Sequence, residues 1–130
     1  ILLVEDNALN MEIAEFLLQE HGAAVTQAWN GREALDRFAA SNPGQFDLIL
    51  MDIMMPLMNG MEAARAIRAL DRPDAKTVPI IAMSANAFSD DIQQSMDAGM
   101  NAHLPKPIDE ATLLTTVTRF ASGSRSRRHR

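Results

Sequence analysis

Short apolar runs alternate with longer amphipathic stretches along the chain. The apolar runs lack helical spacing and several are rich in β-branched residues, which is typical of buried strands. They read ILLV, AAVTQAW, FDLILM, VPIIAM and AHL. We therefore predict five strands, each separated from the next by a segment long enough for one helix.

The stretches between these runs predict five helices. In the first, over 9–20, the apolar residues Ile13, Phe16 and Leu17 follow helical spacing. Asn30, with Glu33 three residues later, has the pattern of a capping box that starts the second. The helices are predicted over 9–20, 30–40, 60–70, 88–98 and 109–120, and the DRPD segment after the third is a chain breaker.

Alternation of strands and helices, with strands that are apolar on both faces, favours a parallel sheet covered on both sides. Right-handed crossovers then give an α/β fold with a doubly wound five-stranded parallel sheet. We find no boundary within residues 1–121 and predict one domain there. The segment 122–130, SGSRSRRHR, is poor in apolar residues and is expected to be a disordered basic tail, either a linker or a vector remnant.

Composition narrows the classes of function. The chain has 130 residues, enough for one core of its own, and no cysteine, which excludes disulfides and thiolate metal sites. Four arginines lie in the tail, so positions 1–124 hold 8 of the 12 basic residues against all 17 acidic ones. This excess of acidic residues is not typical of a protein that binds nucleic acid. No apolar run reaches the roughly 20 residues of a membrane helix, and the initial Ile1 suggests a piece of a longer chain.

Polar side chains follow four of the five predicted strands directly. Glu5 and Asp6 follow ILLV, Asp52 follows LILM, Ser84 follows IIAM and Lys106 lies just beyond HLP. The carboxyl ends of parallel strands share one edge of the sheet, and ligands bind there at the topological switch point. We therefore expect these side chains to meet in one cleft.

Three carboxylates close together repel one another, and a hard divalent cation relieves that repulsion. Mg²⁺ prefers oxygen ligands and is typically held by one or two carboxylates and phosphate oxygens. The pattern therefore predicts a Mg²⁺ site, with Mn²⁺ as a possible substitute, and room for a phosphoryl group. Glu5 and Asp6 are the candidate metal holders, Asp52 is the candidate nucleophile that forms an acyl phosphate, and Lys106 offers a positive charge to the phosphate.

The segments LLVEDN, DLILMDIMMPLMNGMEA, PIIAMSANA and AGMNAHLPKPID resemble, in order, the motifs of the receiver domain of two-component response regulators. The resemblance covers residues 1 to about 121. It implies a (βα)₅ flavodoxin-like fold with strand order 2-1-3-4-5. It also implies that the domain takes a phosphoryl group from a phosphohistidine and catalyses only its own phosphorylation and dephosphorylation.

The resemblance assigns roles residue by residue. Asp52 matches the phosphoacceptor, Glu5 and Asp6 match the acidic metal pair, and Met54 matches the position whose backbone carbonyl completes the metal shell. Ser84 matches the switch hydroxyl and Lys106 the lysine that pairs with phosphoryl oxygens. The remaining matches are Gly60, which ends the loop after the acceptor, and Pro107, whose bond to Lys106 is commonly cis in the family.

Two positions depart from the family pattern. His103 stands where the switch residue is usually Tyr or Phe, so the rotation of an aromatic side chain is less certain here. Met54 lies two residues after Asp52, where a bulky apolar side chain is hypothesised to hinder water and prolong the acyl phosphate. Phosphohydrolases with an Asp nucleophile usually carry a second Asp at that place.

The residues in these motifs resemble receivers of hybrid sensor histidine kinases more closely than other receivers. The expected partner is a histidine kinase or a His-containing phosphotransfer domain. Signalling is expected through the face formed by the fourth helix, the fifth strand and the fifth helix. We also expect the domain to be cytoplasmic and to be a monomer or a weak homodimer. We do not expect it to contact a membrane or to bind nucleic acid. The alternatives are a response regulator that stands alone or carries a DNA-binding domain, an Asp-nucleophile phosphohydrolase, and a pseudo-receiver that only binds partners.

Overall fold

The computed structural model describes residues 1–53, 58–84, 93–94, 96–105 and 109–128, with side chains up to residue 120. Its strands are β1 (Leu2–Val4), β2 (Thr26–Ala28), β3 (Ile49–Asp52), β4 (Ile80–Ser84) and β5 (Ala102–Pro105). Its helices are α1 (Ala8–Glu20), α2 (Gly31–Ala40), α3 (Gly60–Arg68), α4 (Pro73–Thr77) and α5 (Glu110–Arg128).

The five strands form one parallel sheet in the order β2-β1-β3-β4-β5, which confirms the predicted class and order. In the register, Val4 lies beside Met51 of β3 and Ala28 of β2. The next two strands in the sequence, β2 and β3, therefore lie on opposite sides of β1. The switch point of the sheet lies between β1 and β3.

Alternate residues of the buried strands supply two separate apolar layers, because successive strand side chains point to opposite faces. Leu2, Val4 and Met51 belong to the layer covered by α2, α3 and α4. Leu3 and Leu50 belong to the layer covered by α1 and α5. Burial on both faces explains why the strands read as continuous apolar runs.

Helix α1 buries one apolar face against the sheet and leaves other large apolar side chains exposed. Met11, Ala14 and Leu18 are buried against the sheet. Ile13 and Phe16 follow helical spacing, as predicted, yet they are 46% and 59% exposed. The amphipathic period thus identified the helix correctly, and part of its apolar surface faces solvent.

Capping side chains fix several helix starts. Asn30 accepts a hydrogen bond from the Glu33 amide, as predicted for the cap of α2, but the Glu33 side chain accepts from the Trp29 amide and not from the Asn30 amide that a capping box would use. Asn59 and Glu62 form a full capping box at α3. Such caps satisfy amides that lack partners inside the helix.

Two features of the helices were not predicted. The DRPD segment follows the end of α3, as predicted, but its Pro73 also starts the short helix α4, because a proline suits the first helical turn, where its missing N–H is not needed. Helix α5 is described as far as Arg128, beyond its predicted end at 120, and the basic tail over 122–130 stays a prediction. Arginine favours helix, positive charges suit a helix C-terminus, and no proline stops the chain there.

The predicted fourth helix, over 88–98, lies largely outside the described residues. Its end is described: the Gly99 amide donates to the Met96 carbonyl, and Gly99 has a φ of 101°. That left-handed conformation suits a glycine after a helix, as predicted. Among the parts of the chain that the structure describes, none of the helices has the length and apolar character needed to cross a bilayer.

Candidate functional site

Glu5 directly follows β1, and Asp52 is the last residue of β3, the two strands on either side of the switch point of the sheet. Val4 and Met51, the residues before them, are register partners in β1 and β3. Their side chains therefore come from neighbouring strands at the carboxyl edge of the sheet. Glu5 is 2% exposed and Asp52 is 3% exposed, so both are charged groups almost withdrawn from solvent.

Asp6 completes a cluster of three carboxylates. One carboxylate oxygen from each of Glu5, Asp6 and Asp52 lies within 4.8 Å of the others. Asp6 is exposed, and its backbone amide donates a 3.1 Å hydrogen bond to Oε2 of Glu5. The cluster is thus buried on the side of the strands and open to solvent at Asp6.

The carboxylates of this cluster are not needed to start α1. The Asn7 side chain caps that helix by accepting a 3.0 Å hydrogen bond from the Asn10 amide. The sequence prediction did not single out Asn7, although asparagine is among the residues most favoured at that position. The start of α1 is therefore capped by Asn7, next to the acidic pair.

The segment 53–60, named here the acceptor loop, carries the chain from Asp52 into α3. Its first and last residues are joined, because the Gly60 amide donates a 2.9 Å hydrogen bond to the Ile53 carbonyl. A Cβ at position 60 would lie 2.3 Å from the Asp52 carbonyl oxygen. Glycine is therefore required at position 60, which agrees with the expectation that it ends this loop.

Ser84 and His103 lie on the strands to one side of Asp52. Ser84 ends β4, the neighbour of β3, and is 5% exposed. His103 pairs in register with Ala82, and Ser84 pairs with Pro105. Lys106 follows Pro105 directly in sequence, but Lys106, Met54 and Pro107 lie outside the described residues, so their predicted roles stay predictions.

One contact with the acceptor loop was not anticipated from the sequence. The amide of Gly31, at the start of α2, donates a 3.0 Å hydrogen bond to the Met58 carbonyl. The Asn-Gly pair after the second strand indicated a helix start, and nothing in the local pattern says which distant segment that start touches. The contact links the β2–α2 turn to the loop that carries Asp52.

The family model for the response regulator receiver domain matches residues 1–118. This chain is a response regulator receiver domain. The match confirms the resemblance seen in the sequence motifs and agrees with the strand order and with the carboxylate cluster at the switch point.

Solved receiver domains have the same fold. The receiver domain of a sensor histidine kinase from Pseudomonas aeruginosa, solved with a magnesium ion coordinated in its active site cleft, is 37% identical. It superposes with a TM-score of 0.84 over 93% of this chain and 95% of that one. The receiver domain of Ssk1 from Saccharomyces cerevisiae, solved with the histidine phosphotransfer protein Ypd1, is 29% identical. Its TM-score is 0.82 over 93% of this chain and 87% of that one.

Curated relatives are histidine kinases of much greater length. Hybrid signal transduction histidine kinase M of Dictyostelium discoideum is 38% identical over 92% of this chain. Histidine kinase 1 of Arabidopsis thaliana is 32% identical over 90% of this chain. The receiver domain spans 5% of the first relative and 12% of the second.

The donor set of the receiver domain fits a hard divalent cation. Glu5, Asp6 and Asp52 present carboxylate oxygens, the ligand type that Mg²⁺ prefers, and they lie close enough to contact one ion. Burial of two of the three charges makes their mutual repulsion stronger than it would be in water. A cation of charge +2 would offset that repulsion, and the exposed Asp6 marks the open side.

Proposed function

We propose that this domain is the phosphoacceptor switch of a two-component phosphorelay and that Asp52 accepts the phosphoryl group. The main observation that supports this proposal is the position of the Asp52 carboxylate. It is buried at the switch point, with oxygens of Glu5 and Asp6 within 4.8 Å. Holding three carboxylates so close together costs free energy through their mutual repulsion, and a bound divalent cation would offset that cost.

The reaction is a transfer between two residues. A carboxylate oxygen of Asp52 attacks phosphorus, the bond from phosphorus to the imidazole nitrogen of a phosphohistidine breaks, and the electron pair stays with that nitrogen. The product is an acyl phosphate on Asp52 and a free histidine. Mg²⁺, when bound, neutralises charge on the transferring phosphoryl group. Glu5 and Asp6 would hold the ion, for which Mn²⁺ is the expected substitute.

Ser84 and Lys106 are proposed to respond to the new phosphoryl group. Ser84 ends the strand beside β3, from which its hydroxyl can donate a hydrogen bond to a phosphoryl oxygen. Lys106 follows the residue paired with Ser84, which supports the proposal that its ammonium pairs with another oxygen. Their movement is proposed to change the face formed by residues 88–98, β5 and α5, with His103 on β5 as the switch residue.

The exposed apolar residues of α1 support a protein partner close to the acceptor. Leu9, Ile13 and Phe16 are 63%, 46% and 59% exposed. They lie four and three residues apart, so they form one stripe on the solvent side of the helix. The helix begins two residues after Asp6, which places the stripe beside the carboxylate cluster. A phosphotransfer helix that packs on this stripe would present its histidine near Asp52.

The parent protein is proposed to be a hybrid histidine kinase that acts in the cytoplasm. The curated relatives are histidine kinases that are many times longer than this domain, which supports that parent. A phosphotransfer protein as partner is supported by the Ssk1 complex with Ypd1. The acidic body supports a role without nucleic acid.

Acetyl phosphate with Mg²⁺ tests the proposed acceptor directly. Intact-mass spectrometry is expected to detect one phosphoryl adduct on the wild-type chain and none on Asp52→Asn. Asp71→Asn is the matched control, because Asp71 is exposed and follows the far end of α3. Equal adduct on Asp52→Asn, or none on the wild type with saturating Mg²⁺, would refute the proposal.

A further inference from the structure

Gly31 lies against the acceptor loop without room for a side chain. Its amide donates to the Met58 carbonyl at 3.0 Å, and Gly31 itself is buried. A Cβ at position 31 would lie 2.3 Å from the Met58 carbonyl oxygen and 3.0 Å from the carbonyl carbon. Side-chain Cβ atoms do not approach a backbone oxygen so closely, so an alanine here would have to displace one of the two segments.

The segment that carries Gly31 is held by a helix cap and by the sheet. The Asn30 side chain accepts a hydrogen bond from the Glu33 amide, and the Glu33 side chain accepts one from the Trp29 amide. The turn follows directly on β2, which is hydrogen-bonded to β1 in the sheet. The first turn of α2 cannot move away from Met58 without disturbing these bonds, so we expect a clash between residues 31 and 58 to displace Met58.

The acceptor loop is short and is held at both ends. The hydrogen bond from the Gly60 amide to the Ile53 carbonyl closes it, and the Ile53 amide donates to the Met83 carbonyl of β4 at 3.0 Å. Met58 lies two residues before Gly60, so a displacement at Met58 is passed to the backbone beside Asp52. Small displacements matter here, because metal affinity and phosphoryl transfer both depend on positions within about 1 Å.

We propose that Gly31 is a positioning residue for the phosphoacceptor site, because it lets the first turn of α2 hydrogen-bond the Met58 carbonyl and fix the acceptor loop. The inference rests on the proposed function of Asp52. It adds that the β2–α2 turn takes part in shaping the site, although it contributes no side chain to the carboxylate cluster.

Gly31→Ala separates this role from the stability of the helix. Alanine favours helix over glycine by about 1 kcal/mol in a helix interior, so α2 itself would not be weakened. We expect the variant to bind Mg²⁺ about tenfold or more weakly, and to form the acetyl phosphate adduct about tenfold or more slowly. Isothermal titration and intact-mass spectrometry measure the two effects, and Arg32→Ala, an exposed change in the same turn, is the control.

Amide exchange of the metal-free protein gives a second measurement. The Gly60 amide is expected to exchange faster in Gly31→Ala than in the wild type, while core amides of β3 keep their protection. In Gly31→Ala combined with Met58→Ala the defect should persist relative to Met58→Ala alone, because the clash is with the carbonyl. Recovery in that double variant would overturn the proposal.

The outcomes distinguish the two proposals. A wild-type chain that forms no adduct refutes the function of Asp52. A wild-type chain that forms it, with Gly31→Ala equal to it in Mg²⁺ affinity and rate, refutes only the role of Gly31. Should Gly31→Ala not fold, Mg²⁺ titration of the wild type followed by amide resonances decides: the Gly31 resonance should shift, and an unchanged Gly31 beside a shifting Asp6 would overturn the proposal.

Discussion

Arg68 holds the carbonyl oxygen of Gly99 with two hydrogen bonds, from Nε at 3.0 Å and from Nη2 at 2.8 Å. The same guanidinium donates to the Ala75 carbonyl and to Oδ1 of Asn101, and Asn101 in turn accepts a bond from the Ile80 amide. Burial lowers the pKa of Arg68. This one side chain thus joins the end of α3, α4 and the segments at the start of β4 and β5.

We predict that Arg68→Lys lowers the free energy of unfolding by about 1–3 kcal/mol. A lysine ammonium cannot reproduce the planar fork, so some of these carbonyl groups lose their partner. Urea unfolding measures the loss. Arg65→Lys, an exposed change on the same helix, is the control, and an equal effect in both variants would contradict the prediction.

Asp74 is predicted to make stability depend on acidity. Arg72 donates to both of its carboxylate oxygens, at 2.7 and 2.8 Å, and this pairing lowers the pKa of Asp74 below its usual 3.8. A folded-state pKa below the unfolded one means that the stabilisation is complete above pH 3.8 and is lost as the pH falls through the lower value.

Asp74→Asn should therefore show a weaker loss of stability than the wild type as the pH falls below about 4. At neutral pH the variant should be less stable by about 1–3 kcal/mol, because the charge-assisted hydrogen bonds are weakened. Thermal unfolding at several pH values measures both effects. Asp71→Asn should follow the wild-type curve, and parallel curves for Asp74→Asn and wild type would refute the assignment.

Mg²⁺ is predicted to stabilise the folded domain, and the effect should need Asp6. At a Mg²⁺ concentration of 100 times its dissociation constant, the wild type should gain about 2.7 kcal/mol. Asp6→Asn should gain less, and without Mg²⁺ it should be more stable than the wild type, because one of three clustered negative charges is gone.

Urea unfolding at constant ionic strength, with Mg²⁺ or with a chelator, provides this comparison. Asp71→Asn is again the control for loss of an exposed carboxylate. An equal gain from Mg²⁺ in Asp6→Asn and in the wild type would show that the ion does not bind at this cluster.

Phe16 is predicted to take part in partner binding and not in the chemistry. Phosphorylated Ypd1, the phosphotransfer protein solved with the Ssk1 receiver domain, is proposed as the donor for the test. Phe16→Ala should slow transfer from Ypd1 about tenfold or more, as expected for an aromatic contact at the centre of an interface. Its phosphorylation by acetyl phosphate and its stability should stay near wild type, because Phe16 is 59% exposed.

Met96→Ala removes an exposed apolar side chain from the proposed signalling face over 88–98, so it compares that face with the stripe on α1 as the docking surface. Transfer from Ypd1 that slows equally in both variants, or in neither, would argue against the stripe on α1 as the docking surface.

The sequence by itself determined the class of the sheet and the edge at which the polar side chains lie, and the resemblance of its motifs to receiver domains implied the order of the strands. It could do so because buried parallel strands read as apolar runs, and because a residue just after such a run must lie at the carboxyl edge. Asp52 and Glu5 were identified in this way, and the structure places them on neighbouring strands. The end of α5 was not, since a polar, arginine-rich segment satisfies the local rules for helix and for disorder alike.

Only the tertiary structure decided which distant segments touch. Gly31 reads as an ordinary first residue of a helix, and its contact with Met58 depends on how α2 and the acceptor loop pack. Arg68 reads as a surface residue near a helix end, yet its guanidinium joins segments far apart in the chain. Local patterns record which side of an element is apolar; they do not record the partner across a contact, because that partner is fixed by packing of the whole chain.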